Sequence, residues 1–317
     1  MSRVAVLSNP ASGGNRAGGG RQLDRVRRLA RDAEAIHVES RGSEELPRLL
    51  SDLARRDVGL LVVNGGDGTV IGVVTALLDQ RPFRSLPLLA VLSGGTTNMI
   101  AADVGPRGRP PAALRRLLAA HAAGTLATRP RRPLQVRQAG QSDRYGFFLS
   151  AAAIPRVSAA AQRHLHGRGL TGAAGWTMAL GWSFMRLIGG RIGDDPLLRP
   201  EPATLALDGV RADPQEVVLV LATTLDRLLL GMTPAPPGGG IGVAAMRSPY
   251  RGLWWRLPGL LRGSGGDWSD AGYLRARAQE VELETAAPCV LDGEALPAAA
   301  PSRLRLGCGP ALTFARA

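Results

Sequence analysis

Two carboxylates stand out for the company they keep. Asp67 lies in NGGDGT (64–69), one acid among three glycines and a threonine just after the apolar run VGLLVV, and Glu294 ends the triplet DGE at 292–294. Glycine backbone lets N–H groups approach an anion closely, so the loop at 64–69 suits phosphate. A carboxylate in that loop repels bare phosphate. Asp67 therefore implies a divalent cation between the two, or a hydroxyl to be deprotonated. The structural alternative is that Asp67 simply caps the helix that follows.

Two more loops share this composition, NPASGG at 9–14 and SGGTTN at 93–98, and each of the three follows an apolar, strand-like run. In an open parallel sheet, ligands bind beyond the carboxyl ends of the strands, so the three loops should line one edge. Ser12, Thr69 and Thr96 add hydroxyl donors to the bare amides, and the N-termini of the following helices add partial positive charge. The pattern fits a polyphosphate cradle with a single acid for a metal or a proton.

The elements that must hold these loops alternate. Val4–Ser8, residues 36–39, Val58–Val63 and Leu88–Leu92 read as strands. Between them, 21–33 carries Leu23, Val26 and Leu29 on one helical face, Ser43 is a candidate N-cap for a helix through Arg56, and a third helix is expected over Thr69–Leu78. The alternation predicts a doubly wound parallel α/β domain over 1–130. RPRRP at 129–133 punctuates the chain. Beyond it, LQVR, YGFFLSA, ATLALDG, EVVLVLA, VELETA and RLRLG predict a mostly antiparallel β domain, a β-sandwich over 131–304, with a helical insertion at about 171–188. The tail, about 305–317, is free to return to the first domain.

Composition excludes several classes. The chain has 317 residues, 45% hydrophobic, enough for two domains. All 39 basic residues are arginine, so the net charge of +13 reflects in part a GC-rich coding bias, and with few aromatics and no nucleic-acid-binding signature no nucleic-acid partner is expected. Without lysine there is neither a Walker A motif nor a protein-kinase strand lysine. NPASGG does not match the dinucleotide fingerprint GxGxxG, and no GxSxG elbow is present. Cys289 and Cys308 are too few for a disulfide framework and have no metal-ligand spacing with the four histidines. MSRVAVLSNP enters a strand pattern directly, and no apolar run reaches the ~18 residues of a membrane span. The expectation is a cytoplasmic protein able to touch the inner membrane face.

Asn9-Pro10 with Ser12-Gly13, GGDGT at 65–69, GGTTN at 94–98 and Asp292-Gly293-Glu294 together resemble the diacylglycerol and sphingosine lipid kinases, within the wider NAD kinase-like fold. The motifs occur in that family's order and span nearly the whole chain; GGDGT in this setting is specific, whereas DGE alone is weak. The resemblance implies two domains, with ATP on the first, a lipid alcohol entering from the second, and Mg2+ as the accompanying ion. Nucleotide-contacting positions carry over to Gly65, Gly66, Asp67, Gly68, Thr69 and Thr96, with Asn9, Ser12, Ser40, Gly95 and Asn98 beside them. Glu294 matches the acid assigned as base in bacterial members, and Asp67 then organises magnesium and phosphate. In sphingosine kinases the aspartate takes the base role, so the reverse assignment stays open, and no metal ligand set is assigned.

Two stretches depart from the family's pattern. The acidic DG pair that helps to hold a structural metal in the second domain is absent from TPAPPGGGIG, after Met232, and AAAIPR (151–156) replaces a glycine-containing segment at the start of that domain. A kinase of a soluble alcohol and a non-catalytic nucleotide- or lipid-binding protein remain the alternatives. YRGLWWRLPGLLRG (250–263) has the mixed Trp, Leu and Arg content of a segment lying in a bilayer interface, or of a core segment rimmed by arginine. The segment around Trp176, Trp182 and Phe184 could line an acyl channel or belong to the core. A homodimer is left open.

Overall fold

The computed structural model describes residues 2–166, 196–228, 232–249, 259, 269–297 and 302–317. The chain divides into two compact units, Met1–Pro133 with Pro310–Ala317, and Leu134–Gly309.

The first unit alternates strand and helix: β1 (Arg3–Ser8), α1 (Gly13–Arg16), α2 (Arg21–Asp32), β2 (Ile36–Glu39), α3 (Leu46–Arg55), β3 (Val58–Gly65), α4 (Asp67–Gln80), β4 (Leu88–Ser93), α5 (Met99–Val104), α6 (Pro110–Ala122) and β5 (Ala127–Arg131). The chain's last strand, Leu312–Arg316, joins the same sheet, which runs β2-β1-β3-β4, then that last strand, then β5. The first five strands in this order pair parallel, and β5 pairs antiparallel to the last strand. β3 is apolar almost throughout because both of its faces are covered. Val6, Leu60, Val62, Ala90 and Leu92 pack with Val26 and Ala30 of α2 and Leu114 and Leu117 of α6. The alternate residues Ala5, Leu7, Leu61, Val63, Leu89 and Val91 are equally buried and face the opposite side, as the two-residue period of a strand requires.

Several local expectations need correction. Ser43 does not cap a helix through its side chain: Ser43–Glu45 is a 3-10 turn, and α3 begins at Leu46. Ala127–Arg131 is a strand, not only punctuation; Pro130 is tolerated there because β5 is paired on one side. Helix α6, which opens on Pro110-Pro111, is an addition to the elements read from the sequence. Its prolines occupy the first turn, where a missing N–H costs no intrahelical bond.

The second unit is antiparallel throughout its described strands: β6 (Leu134–Gln138), β7 (Arg144–Gly146), β8 (Phe148–Ala152), β9 (Glu201–Leu207), β10 (Val210–Arg211), β11 (Gln215–Thr223), β12 (Ile241–Arg247), β13 (Tyr273–Ala278), β14 (Glu280–Thr285), β15 (Cys289–Leu291), β16 (Glu294–Ala295) and β17 (Ser302–Cys308), with helix α7 (Ala153–His166) after β8. The chain's last strand is β18 (Leu312–Arg316). All twelve strands of the second unit belong to one hydrogen-bonded sheet. One core cluster nevertheless gathers Leu134 and Val136 of β6, Leu149 of β8, Leu291 of β15 and Leu304 of β17, strands far apart in the sheet order. The sheet therefore curls over its own apolar face, which is how the expected sandwich is realised. The segment expected to be helical at 171–188, and 250–263 apart from Gly259, lie outside the described residues.

Candidate active site

Because β1, β3 and β4 are neighbours and parallel, the loops that leave their carboxyl ends meet. The Asn9 amide donates to the Asn64 carbonyl (2.9 Å) and the Asn15 amide to the Gly94 carbonyl (3.1 Å). Asn9 Nδ2 donates to Thr69 Oγ1 (2.9 Å), and Ser12 Oγ lies 2.9 Å from the Asn9 carbonyl and 2.8 Å from that of Gly94. The glycines permit this closeness. A methyl group on Gly66 would stand 3.2 Å from Gly95 Cα, one on Gly65 2.6 Å from Thr69 Cβ, and one on Gly14 2.8 Å from the backbone of Gly94. Much of the bare backbone thus serves loop-on-loop contact.

Gly68 is different. A methyl group there would meet no atom within 4 Å, and its φ is not in the left-handed region, so neither packing nor backbone geometry demands glycine. It lies exposed in the first turn of α4, where the amides of Asp67 and Gly68 precede the first intrahelical bonds, made by the amides of Thr69 and Val70 to the Gly66 carbonyl. This is the stretch of the edge open to an incoming anion.

Asp67 is the first residue of α4 but caps another helix. Its Oδ2 accepts from the Met99 amide (3.0 Å) and its Oδ1 from the Ile100 amide (2.9 Å), the first two residues of α5. The carboxylate therefore ties the second loop to the third. Burial pushes its pKa above the ordinary carboxylate value, and the two amides pull back. Each oxygen keeps a second lone pair, the donor set available to a cation. Magnesium is commonly held by one or two carboxylates together with substrate phosphates, so a single aspartate at a phosphate-binding edge fits. Among the described residues no group of three or more His, Cys, Asp or Glu side chains forms a ready-made metal cage.

The other expected site residues divide by what already occupies their polar atoms. Asn98, at φ 51°, closes its own loop: its Oδ1 accepts from the Gly95 amide (2.7 Å) and its Nδ2 donates to the Gly95 carbonyl (2.9 Å). Ser40 is buried at the end of β2 and donates to the Gly42 carbonyl (2.6 Å). Ser12 donates inward, as above. Thr96 is exposed, and the bond from Asn9 leaves the Thr69 hydroxyl hydrogen uncommitted. Thr69, Thr96, Gly68 and the outer lone pairs of Asp67 are the groups of this edge that the loops' own hydrogen bonds leave uncommitted.

Beneath the loops lie two asparagines that the motif pattern did not single out. Asn15 Nδ2 donates to the carbonyls of Asn9 (2.8 Å) and Asn64 (3.1 Å), and Asn64 Nδ2 donates to Ser8 Oγ (3.2 Å), which in turn contacts His37 Nε2 (3.0 Å). Burial lowers the His37 pKa, with Glu39 opposing and Arg27 reinforcing the effect. The Oδ1 atoms of both asparagines are buried without a hydrogen-bond partner. Both face Gly94: a methyl group there would lie 2.7 Å from Asn64 Oδ1 and 3.2 Å from Asn15 Oδ1. The only sequence signal was an asparagine ending each apolar or glycine run.

In the second unit Asp292 and Gly293 form the two-residue turn between β15 and β16, at φ 49° and 95°. An Asp-Gly pair is suited to a hairpin turn that needs positive φ at both positions. Asp292 Oδ2 accepts from the Phe147 amide (2.7 Å) and Oδ1 from the Phe148 amide (3.0 Å). Glu294, the first residue of β16, is exposed beside this anchored turn. The acid-free stretch after Met232 is held by arginines: Arg275 donates to the carbonyls of Thr233 (3.2 Å) and Pro234 (3.4 Å), and Arg277 to those of Pro236 (2.6 Å) and Gly240 (3.3 Å). Ala152, within AAAIPR, ends β8 at φ 68°.

Residues 3–126 match the family model of the diacylglycerol kinase catalytic domain. No curated protein matches the chain. Among solved structures, a diacylglycerol kinase from Bacillus anthracis is 17% identical, with a TM-score of 0.65 over 99% of this chain and 96% of that one. An NAD kinase from Archaeoglobus fulgidus, solved in complex with ATP, is 13% identical, with a TM-score of 0.52 over 98% and 92%. Yeast NADH kinase, complexed with NADH, is 10% identical, with a TM-score of 0.51 over 100% and 84%. These likenesses establish the fold, a parallel α/β unit followed by an antiparallel β unit of the diacylglycerol kinase and NAD kinase type. The family model's match lies within the first unit.

Proposed function

We propose that this protein transfers the γ-phosphate of ATP, with Mg2+, to a hydroxyl of a diacylglycerol-like or sphingoid lipid. The observation that carries the reading is the edge of the first unit: three glycine loops bound to one another around a single aspartate, with Gly68 left bare where neither packing nor φ requires it.

Each residue then has a role. The open amides of the first turn of α4, with the hydroxyls of Thr69 and Thr96, bind phosphate oxygens. Asp67 holds α5 and the third loop in register and offers its outer lone pairs to magnesium. That ion, when bound, neutralises charge on the phosphates. Phosphoryl transfer asks for positioning and charge neutralisation more than for covalent help from the protein. Glu294 takes the proton of the acceptor hydroxyl as the acceptor oxygen bonds to the γ-phosphorus and the bond from that phosphorus to the β–γ bridging oxygen breaks, releasing ADP.

A second reading, a soluble alcohol as acceptor, draws on the likeness to the NAD and NADH kinases. The experiment is transfer of labelled γ-phosphate from ATP and magnesium to diacylglycerol, monoacylglycerol, ceramide and sphingoid bases in mixed micelles, with NAD as the soluble arm. A labelled lipid that vanishes with Asp67→Asn is the expected result. Label on NAD alone would move the acceptor to a soluble alcohol, and ATP binding without transfer to any acceptor would leave a nucleotide-binding protein.

A further inference from the structure

The first unit also carries a groove of about 750 Å³, lined by none of the glycine-loop residues, whose walls come from α2, the turn before it and the first half of α6. Five arginines line it: Arg21, Arg25 and Arg28 from α2, and Arg109 and Arg115 at and beyond the start of α6. The α2 residues recur at intervals of four and three, which sets them on one stripe of the helix. Asp32 is the one acid in the lining.

Some arginines of the chain are matched by acids: Arg27 pairs with Asp24 and Glu39, Arg131 with Asp103, Arg55 with Asp52, and Arg303 and Arg305 with Glu284 and Glu282. What sets the groove apart is that its five gather in one concavity. Among the described residues none of the five groove arginines is in an ion pair; Arg21 donates to the Gly18 carbonyl, and all five are exposed. A coding bias toward arginine explains their number but not five guanidinium groups gathered in one concavity with a single acid. Guanidinium presents a planar fork of donors that matches phosphate oxygens two at a time. The groove also includes the first turn of α6, a 13-residue helix whose N-terminus adds positive potential. Its volume is in the range of small-ligand sites.

We infer that this groove is a second anion site, for a ligand carrying at least two phosphate groups. Five guanidinium groups spread over two helices exceed what one phosphate can engage. The ligand's phosphates come either free in solution or from the headgroups of an anionic bilayer, and the chemistry of the contact is the same for both. The inference does not depend on the kinase reading.

The test measures binding of tripolyphosphate by calorimetry, and of phosphatidylglycerol vesicles by co-sedimentation. Both are done in a Gly68→Glu background, which sets a negative charge at the glycine edge without a steric clash and so removes phosphate binding there. Arg25→Glu/Arg28→Glu and Arg115→Glu are compared with Arg48→Glu/Arg55→Glu on α3, a pair of exposed sites carrying the same charge change. The expected result is a loss of about tenfold for each groove arginine removed, as for hydrogen bonds to charged groups, with the α3 variant near the parent. Loss confined to tripolyphosphate supports a free polyanion, and loss in the vesicle arm supports lipid-borne phosphate. Loss in neither arm, or an equal loss in the α3 variant, would overturn the inference.

Discussion

Asp67 in the first unit accepts from the amides of Met99 and Ile100; Asp292 in the second accepts from those of Phe147 and Phe148. The contact is the same, one carboxylate spanning two consecutive N–H groups across the sequence. The settings differ. Asp67 opens a long helix, beside the bare Gly68, and ties two loops of a phosphate-type edge. Asp292 occupies a left-handed turn position and ties a two-residue hairpin to the start of β8, so that its neighbour Glu294, not Asp292 itself, is the acid left exposed. On the mechanism proposed above, structure and chemistry fall on one side chain in the first unit, and in the second they are divided between two acids two residues apart.

The sharpest way to break this comparison is Glu294→Gln. If the exposed acid is the base, turnover should fall by about 100- to 10,000-fold while ATP binding is retained, since a general base contributes on that order. Single-turnover kinetics beside a nucleotide-binding titration would decide it, and unchanged turnover would remove Glu294 from the mechanism. Asp292→Ala tests the other half of the division. It strands the amides of Phe147 and Phe148, at about 1–3 kcal/mol for each donor left buried and unpaired, and urea denaturation should register that loss. Turnover restored in the fraction that remains folded would show that Asp292 acts only through the turn.

A smaller effect comes from how each unit handles positive φ. In the first unit Asn98 takes φ 51° at the start of α5, a conformation asparagine tolerates; in the second Ala152 takes φ 68° at the end of β8. Left-handed backbone costs a non-glycine residue roughly 1–2 kcal/mol, and glycine gives back about 0.5–1 kcal/mol in unfolded-state entropy. Ala152→Gly should therefore stabilise the protein by about 0.5–1 kcal/mol in the same denaturation experiment. A loss of stability would mean that the Ala152 methyl contributes more by packing than its backbone costs.

These contrasts mark what the sequence could disclose. The three loops were legible because glycine pairs directly follow apolar runs, and position after a parallel strand fixes the edge. What each polar atom does was not legible. Ser12, Ser40 and Asn98 look like ligand donors by type, yet their hydrogen bonds close the loops themselves. Asn15 and Asn64 leave no pattern because their role depends on burial beneath Gly94, a contact made only after three distant segments converge. Helix α6 was hidden by Pro110 and Pro111, residues that break a helix anywhere but in its first turn. β5 was hidden by Pro130, and its strand character depends on pairing with residues near the far end of the chain.

That last pairing bears on how the protein is made. β18 inserts between β4 and β5, and about 180 residues separate the end of β5 from its start. At the usual pace of synthesis, about 5–20 residues per second, β4 stays an open apolar edge for roughly ten to forty seconds after β5 has emerged. The sheet that bears the glycine loops is thus closed by a strand made long after its neighbours, and a message truncated between β5 and Leu312 yields a sticky strand edge, the kind of surface that recruits chaperones or aggregates.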